Sequence, residues 1–263
     1  MEYLTAIILG LVEGVTEFIP ISSTGHLILV GRLLNFEGVR ASTFEIFIQF
    51  GAILAVVFLY KDRFIHLLDL RKSEGLAGLK GIGMLSLTTL PAVIIGVATR
   101  SFIKERLFNP FTVAIGLGLG GLAILLVERG RLKGERFGLD SLTWWDALYV
   151  GLFQCLALWP GVSRSAATIL GGMLIGVERK TAAEYSFLAA VPALSGAAIY
   201  DLYKSLPALQ PSDAIIFGIG FIVAFISALL AVKYFLKLLS AHDLIPFGWY
   251  RIGLALVVLV FWR

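Results

Sequence analysis

Cysteine is almost missing from this chain: Cys155 stands alone in an apolar run, so no disulfide forms within the chain and the residue reads as packing. Charge is scarce as well. Only 15% of the 263 residues are charged, against about 25% in an ordinary soluble domain, while 58% are hydrophobic and the mean hydropathy is +0.89. One soluble core cannot bury that much apolar surface. There is also no basic, aromatic-interleaved stripe, so the net charge of +4 does not point to a nucleic-acid partner, and the basic residues read first as reporters of membrane topology. The start lacks the basic leader and small-residue cleavage site of a secretory signal, since Met1, Glu2 and Tyr3 run straight into the apolar Leu4–Val12. That stretch is expected to stay in the mature protein.

What fills the chain is apolar runs near the length of about 20 residues that crosses a bilayer. They are Glu45–Tyr60, Met84–Thr99, Phe111–Val127, Ala183–Tyr203, Ala214–Val232 and Phe247–Trp262, giving an expectation of six crossings. The chain also repeats itself weakly. "LGLVEGVTEFIPISSTGH" from Leu9 and "VGLFQCLALWPGVSRSAAT" from Val150 each read as an apolar helix, a proline stop (Pro20, Pro160), a Ser-rich turn and a second short helix, expected over His26–Leu34 and Ala166–Ile175. Glu45 has a counterpart in Glu184, and Asn109-Pro110-Phe111 resembles Ile245-Pro246-Phe247. Two repeats, residues 1–128 and 146–263, joined by a charged linker at 129–145, account for this pattern.

Each proline-interrupted pair, at about 4–35 and 147–177, is too short to cross and return and reads as a re-entrant helical hairpin. The expected fold is therefore an all-α polytopic integral membrane protein with an inverted-topology repeat. Three crossings per half invert the second half, so the two polar elbows meet near the midplane, where irregular backbone is tolerated only if protein or a water-filled cavity surrounds it. The larger share of Lys and Arg, including Lys61, Arg63, Arg71, Lys72, Arg131 and Lys133, falls on one face, which is expected to be cytoplasmic.

Glu13 and Glu17 lie four residues apart, on one face of a helix. Each costs roughly 2 to 3 kcal/mol to place in a membrane segment, a cost that needs a return. Ser22, Ser23, Thr24 and Gly25 then supply three hydroxyls and a flexible backbone at a helix start, where free N–H groups and the helix dipole favour an anion. One hydroxyl is enough for a cap. His26 adds a ring that titrates near neutral pH. In the second elbow, Arg164 sits between Ser163 and Ser165, and its planar fork suits phosphate. A bare salt bridge from Arg164 to Glu13 or Glu17 would still bring the elbows together. Two acids, a His, hydroxyls and an Arg inside the membrane suit a phosphorylated lipid.

At "EGVTEFIPISSTGH" and "PGVSRS" the chain resembles the undecaprenyl-diphosphatase family of the bacitracin-resistance type, and the similarity of segment order extends over essentially the whole chain. The resemblance implies hydrolysis of undecaprenyl diphosphate to the monophosphate and phosphate, on the outer face of a bacterial inner membrane, with recycling of the cell-wall carrier lipid. It implies a divalent cation, Mg²⁺ or Ca²⁺, and active-site positions at Glu13, Glu17, Ser23, His26 and Arg164, with Ser22 and Thr24 in support. Another lipid phosphatase superfamily uses a histidine nucleophile and needs a second His soon after the Ser-Arg pair. None follows Ser163-Arg164 before His242.

The expected mechanism has a cation held by Glu13, Glu17 and diphosphate oxygens, Arg164 offsetting charge with Ser163 and Ser165 beside it, Ser23 as nucleophile and His26 as general base or acid. Direct attack by water stays open. A polyprenyl-phosphate translocase or other carrier is the competing class, because paired re-entrant hairpins also build secondary transporters. The expected partners are the lipid substrate and the bilayer, and a homodimer is compatible with the reading.

Overall fold

The structure, a computed structural model, describes residues 2–71, 74–130, 134–205 and 213–261. Lys72, Arg131, Lys133 and Trp262 from the sequence reading lie outside the described residues. Among those described there are no strands, only an isolated bridge between Arg136 and Val177. The helices in chain order are α1 (Glu2–Thr16), α2 (Ser23–Leu33), α3 (Val39–Leu59), α4 (Lys61–Leu68), α5 (Gly78–Phe102), α6 (Pro110–Arg129), α7 (Trp144–Gln154), α8 (Arg164–Leu174), α9 (Arg179–Ser205), α10 (Asp213–Leu239) and α11 (Ile245–Phe261). A π turn, Ile103–Leu107, continues α5, and a 3₁₀ turn, Cys155–Leu158, follows α7.

Five helices, α3, α5, α6, α9 and α10, are long and apolar enough to cross a membrane, which makes the protein an all-α multi-pass membrane protein. The sixth expected crossing corresponds to α11, whose 17 residues reach only about 25 Å at 1.5 Å per residue. Outward-facing side chains such as Leu54, Phe58, Ile94, Val97, Leu122, Leu126, Ile222 and Leu230 are exposed, as helix faces solvated by lipid tails are. Local signals set the ends. Asn109 caps α6 by accepting from the Thr112 N–H at 3.1 Å with Pro110 in the first turn, and Thr143 with Asp146 forms a capping box on α7.

The entering hairpin helices are held by long helices from elsewhere in the chain, α1 on α10 and α7 on α5, and α6 packs on α11. Close approach replaces a hydrophobic driving force here, since lipid tails are as apolar as the helices. A Cβ added to Gly10 of α1 would stand 2.5 Å from the Gly220 carbonyl oxygen of α10, so only glycine permits that spacing. Ion pairs tie the ends. Arg40 bridges Glu2 and Asp213, joining the starts of α3, α1 and α10, while Arg179 holds Glu128 at 2.5 Å and Arg136 holds Asp146. Arg63 and the Leu76 N–H bind Asp140; partial burial works to raise that carboxyl, but these donors overcome it and hold it below its usual range.

Both elbows differ slightly from their sequence reading. The entering helices stop at Thr16 and Gln154, short of the prolines, and the returning helices begin at Ser23 and Arg164, earlier than expected. The reason is that Ser22 and Ser163 are themselves the caps, each accepting from the backbone N–H three residues on (Gly25, 3.4 Å; Ala166, 3.3 Å).

Candidate active site

Two serines set the geometry. Ser22 and Ser163 both adopt φ 72°, a left-handed conformation uncommon outside glycine, and each turns the chain sharply into the next helix. Consequently Ser23 and Arg164 occupy the same position, the first residue of α2 and of α8, at the tips of facing elbows. Gly161, at φ +93°, lets the second elbow press against Val113 of α6, where a Cβ would collide with the Val113 carbonyl.

Glu17 stands between the two tips. It lies one residue past α1, its N–H still bonded to the Glu13 carbonyl at 2.9 Å. Its carboxylate accepts from Ser23 Oγ at 2.5 Å through Oε2 and from Arg164 Nη2 at 3.1 Å through Oε1. Both Glu17 and Arg164 are nearly removed from solvent, so taking away one partner leaves an uncompensated charge and costs about 3 to 5 kcal/mol. Arg164 also donates through Nη1 to the Ser186 carbonyl (3.1 Å) and hydroxyl (3.2 Å), and its guanidinium lies 5.5 Å from the Phe18 ring centre. Its Nε is buried without a partner. Ser165 is fully buried and donates to the Ile19 carbonyl at 3.1 Å, a second link between elbows.

Beside this contact lies an open cavity of about 180 Å³, lined on its polar side by Glu17, Ser22, Ser23, Thr24, Gln49, Ser163 and Arg164. Phe108, Ala157, Leu158 and Leu194 form its apolar side. Glu13, Gly25, His26 and Ser165 are not in this lining. Glu13 is buried behind Glu17, with Glu17, Glu45 and Arg164 as its charged neighbours, and its Oε1 has no donor. Gly25 packs on Leu117. The His26 ring is held at both nitrogens, Nδ1 at 2.7 Å from the Ser22 carbonyl oxygen and Nε2 at 2.7 Å from the Tyr250 hydroxyl.

The residues fit a cation in one way. No cluster of three His, Cys, Asp or Glu ligands occurs among the described residues, so the protein alone offers no closed cage. Glu17, with the donor-less Glu13 oxygen behind it, matches Mg²⁺ sites that use one or two carboxylates and complete their shell with substrate phosphates and water.

The sequence reading passed over Arg251. Fully buried in α11, it donates to the carbonyls of Pro20 in the first elbow (3.1 Å), Gly161 (2.8 Å) and Val162 (2.7 Å) in the second, and Gly116 (3.2 Å) and Leu117 (3.3 Å) of α6. An arginine inside an apolar span was the available signal. Gln49, Ser186 and Tyr250 were passed over as well, and only their placement in space marks them.

Fold and site together define a class: a multi-pass helical membrane protein whose two polar elbows enclose a cavity beside a buried carboxylate–arginine pair. The profile of the Bacitracin resistance protein BacA family matches residues 6–257, and the chain belongs to that family. It is 52% identical over 261 residues to the undecaprenyl-diphosphatase of Solidesulfovibrio magneticus, covering 99% of this chain and 98% of that one. It is 54% identical over 258 residues to that of Maridesulfovibrio salexigens (98% of each) and 47% over 258 residues to that of Pseudomonas fluorescens (98% and 93%). None of these relatives is named as a carrier.

Proposed function

We propose that the chain hydrolyses undecaprenyl diphosphate to undecaprenyl phosphate and inorganic phosphate through a phosphoserine at Ser23. The observation that carries this is the Glu17 carboxylate, which accepts from Ser23 Oγ at 2.5 Å and from Arg164 at 3.1 Å. Glu17 takes the Ser23 proton as Oγ bonds to the terminal phosphorus and the bridging P–O bond breaks, the bridging oxygen leaving with the lipid phosphate. Water then attacks the phosphoserine, releasing phosphate and restoring Ser23. Arg164 and the N–H groups opening α2 and α8 offset charge on the transferred group, with Ser22, Thr24 and Ser163 lining the same cavity. A divalent cation held by Glu17 and Glu13 would supply further charge neutralisation. This assigns the base to Glu17, because both His26 nitrogens are engaged elsewhere.

A cavity of about 180 Å³ is far too small for a whole polyprenyl chain, so the tail leaves along the apolar side past Phe108, Leu158 and Leu194 into lipid. Family membership supports a bacterial inner membrane and the basic bias supports a site open to the periplasm, and every group used comes from one copy. Cysteine labelling tests this orientation: Glu37→Cys should react with a membrane-impermeant reagent on intact cells and Arg71→Cys should not, and the reverse pattern would overturn it. For the reaction, purified protein in detergent should release phosphate from undecaprenyl diphosphate, stop with Ser23→Ala, and yield a trappable phosphoserine at short times. Hydrolysis by Ser23→Ala at near the parent rate would replace the serine with direct attack by water.

A further inference from the structure

We infer that His26 is a positioning residue, acting through the Ser22 carbonyl to hold Ser23 in place, and that Tyr250 fixes the ring tautomer in which it does so. The inference rests on Ser23 being the nucleophile. It starts from a difference between two turns with the same backbone. In the second elbow, the Ser163 carbonyl receives the Ala167 N–H at 3.0 Å, an ordinary first helical bond. In the first, the equivalent bond from the His26 N–H to the Ser22 carbonyl is stretched to 3.4 Å, and the His26 ring supplies the close contact instead, Nδ1 to the same oxygen at 2.7 Å. Ser22 sits at φ 72°, a strained conformation that persists only when neighbours over-determine it. The ring is one of those neighbours, and Ser23 is the next residue along the chain.

The tautomer follows from the partners. A backbone carbonyl only accepts, so Nδ1 carries the proton, and in the neutral ring Nε2 must then accept from the Tyr250 hydroxyl at 2.7 Å. The two rings are parallel, 5° apart with centroids at 5.6 Å, so α11 grips the imidazole by stacking as well as by the hydrogen bond. The preceding hydroxyl, Ser22 Oγ, is spent on the Gly25 cap, and no hydrogen bond joins His26 to Ser23 or Glu17 among those described.

Two measurements test this. The chain has three histidines, His26, His66 and His242, so ¹⁵N-histidine spectra of the detergent-solubilised protein resolve each ring, with His26 identified by its loss in His26→Asn. His26 should be Nδ1-protonated with Nε2 bare, and should lose that preference in Tyr250→Phe; an Nε2-protonated ring in the parent overturns the inference without reference to activity. In turnover, His26→Asn keeps an N–H where Nδ1 stood and should retain kcat within about tenfold of the parent, whereas His26→Ala should lose about a hundredfold, both with little change in KM. Tyr250→Phe should lower kcat severalfold alone and add nothing to His26→Asn, as two residues acting through one contact behave. If His26→Asn is as inactive as His26→Ala while release by the parent still depends on Ser23, His26 is the titrating base and the inference fails. If release by the parent does not depend on Ser23, the functional reading fails instead, and the spectra still decide the tautomer.

Discussion

The two elbows share a backbone and divide the chemistry. Each turns on a serine at φ 72° that caps the helix it opens, yet the residue after that serine is a hydroxyl, Ser23, the proposed nucleophile, in one and a cation, Arg164, in the other. At matching distances before the capping serines stand Glu13 and Gln154, then Glu17 and Leu158; four residues after them stand His26 and Ala167. The second elbow thus lacks both carboxylates and the imidazole, and carries the guanidinium instead. Gln154 keeps a structural job, donating to the Thr88 carbonyl at 3.2 Å. The difference teaches that the turn is the scaffold and the chemistry is decided by which side chain occupies each place on it, with Glu17 as the group where the halves meet.

Erasing the difference at its most informative point should have the largest effect. Glu17→Gln removes the proposed base and the counter-charge of Arg164 together, and should lower phosphate release by about 10³-fold or more in protein that still purifies folded. Glu13→Gln, which gives the first elbow the residue of the second, should do so less completely, because Glu13 does not reach the cavity. Near-normal release from folded Glu17→Gln would remove Glu17 from the reaction.

Keeping charge while losing shape sharpens the other side of the comparison. Arg164 uses Nη2 for Glu17 and Nη1 for Ser186 in one planar fork, which a lysine cannot reproduce. Arg164→Lys should stay about 10²-fold impaired, and an active Arg164→Lys enzyme would reduce the residue to a structural counter-ion.

A smaller effect on turnover, and a larger one on stability, is expected where the elbows are tied together. Arg251→Met removes the guanidinium from five carbonyls and should destabilise the protein by about 3 kcal/mol or more, read as a lower melting temperature in detergent, with activity falling severalfold. Unchanged melting would mean that the elbows hold their places without this clamp.

Much of this site was legible in the sequence because it is local. Glu17, the Ser22-Ser23-Thr24 run and Arg164 fall in two short stretches, and acids, hydroxyls and arginine in apolar surroundings announce themselves by their cost. The helix starts were misjudged by a few residues because any of several hydroxyls could have capped them, and only the backbone shows that Ser22 and Ser163 do. The base role expected for His26 is given to Glu17 in the proposal for a different reason: the helical turn aims the ring back at the Ser22 carbonyl and outward to Tyr250. Tyr250, Gln49 and Ser186 meet the elbows only through long-range packing and carry no local mark. Arg251 did carry one, a charge in an apolar run, which the sequence reading passed over.

The central claim is that one half supplies the base and nucleophile, the other the phosphate-binding cation, and that they act as one site. A double-mutant cycle on phosphate release from undecaprenyl diphosphate, comparing Glu17→Gln, Arg164→Ala and the two combined, tests it most directly. If the pair works as a unit, the combined change should be no slower than the worse single change, to within about threefold. If the two losses multiply in full, Glu17 and Arg164 act independently, and the account of a single site shared by the two elbows is wrong.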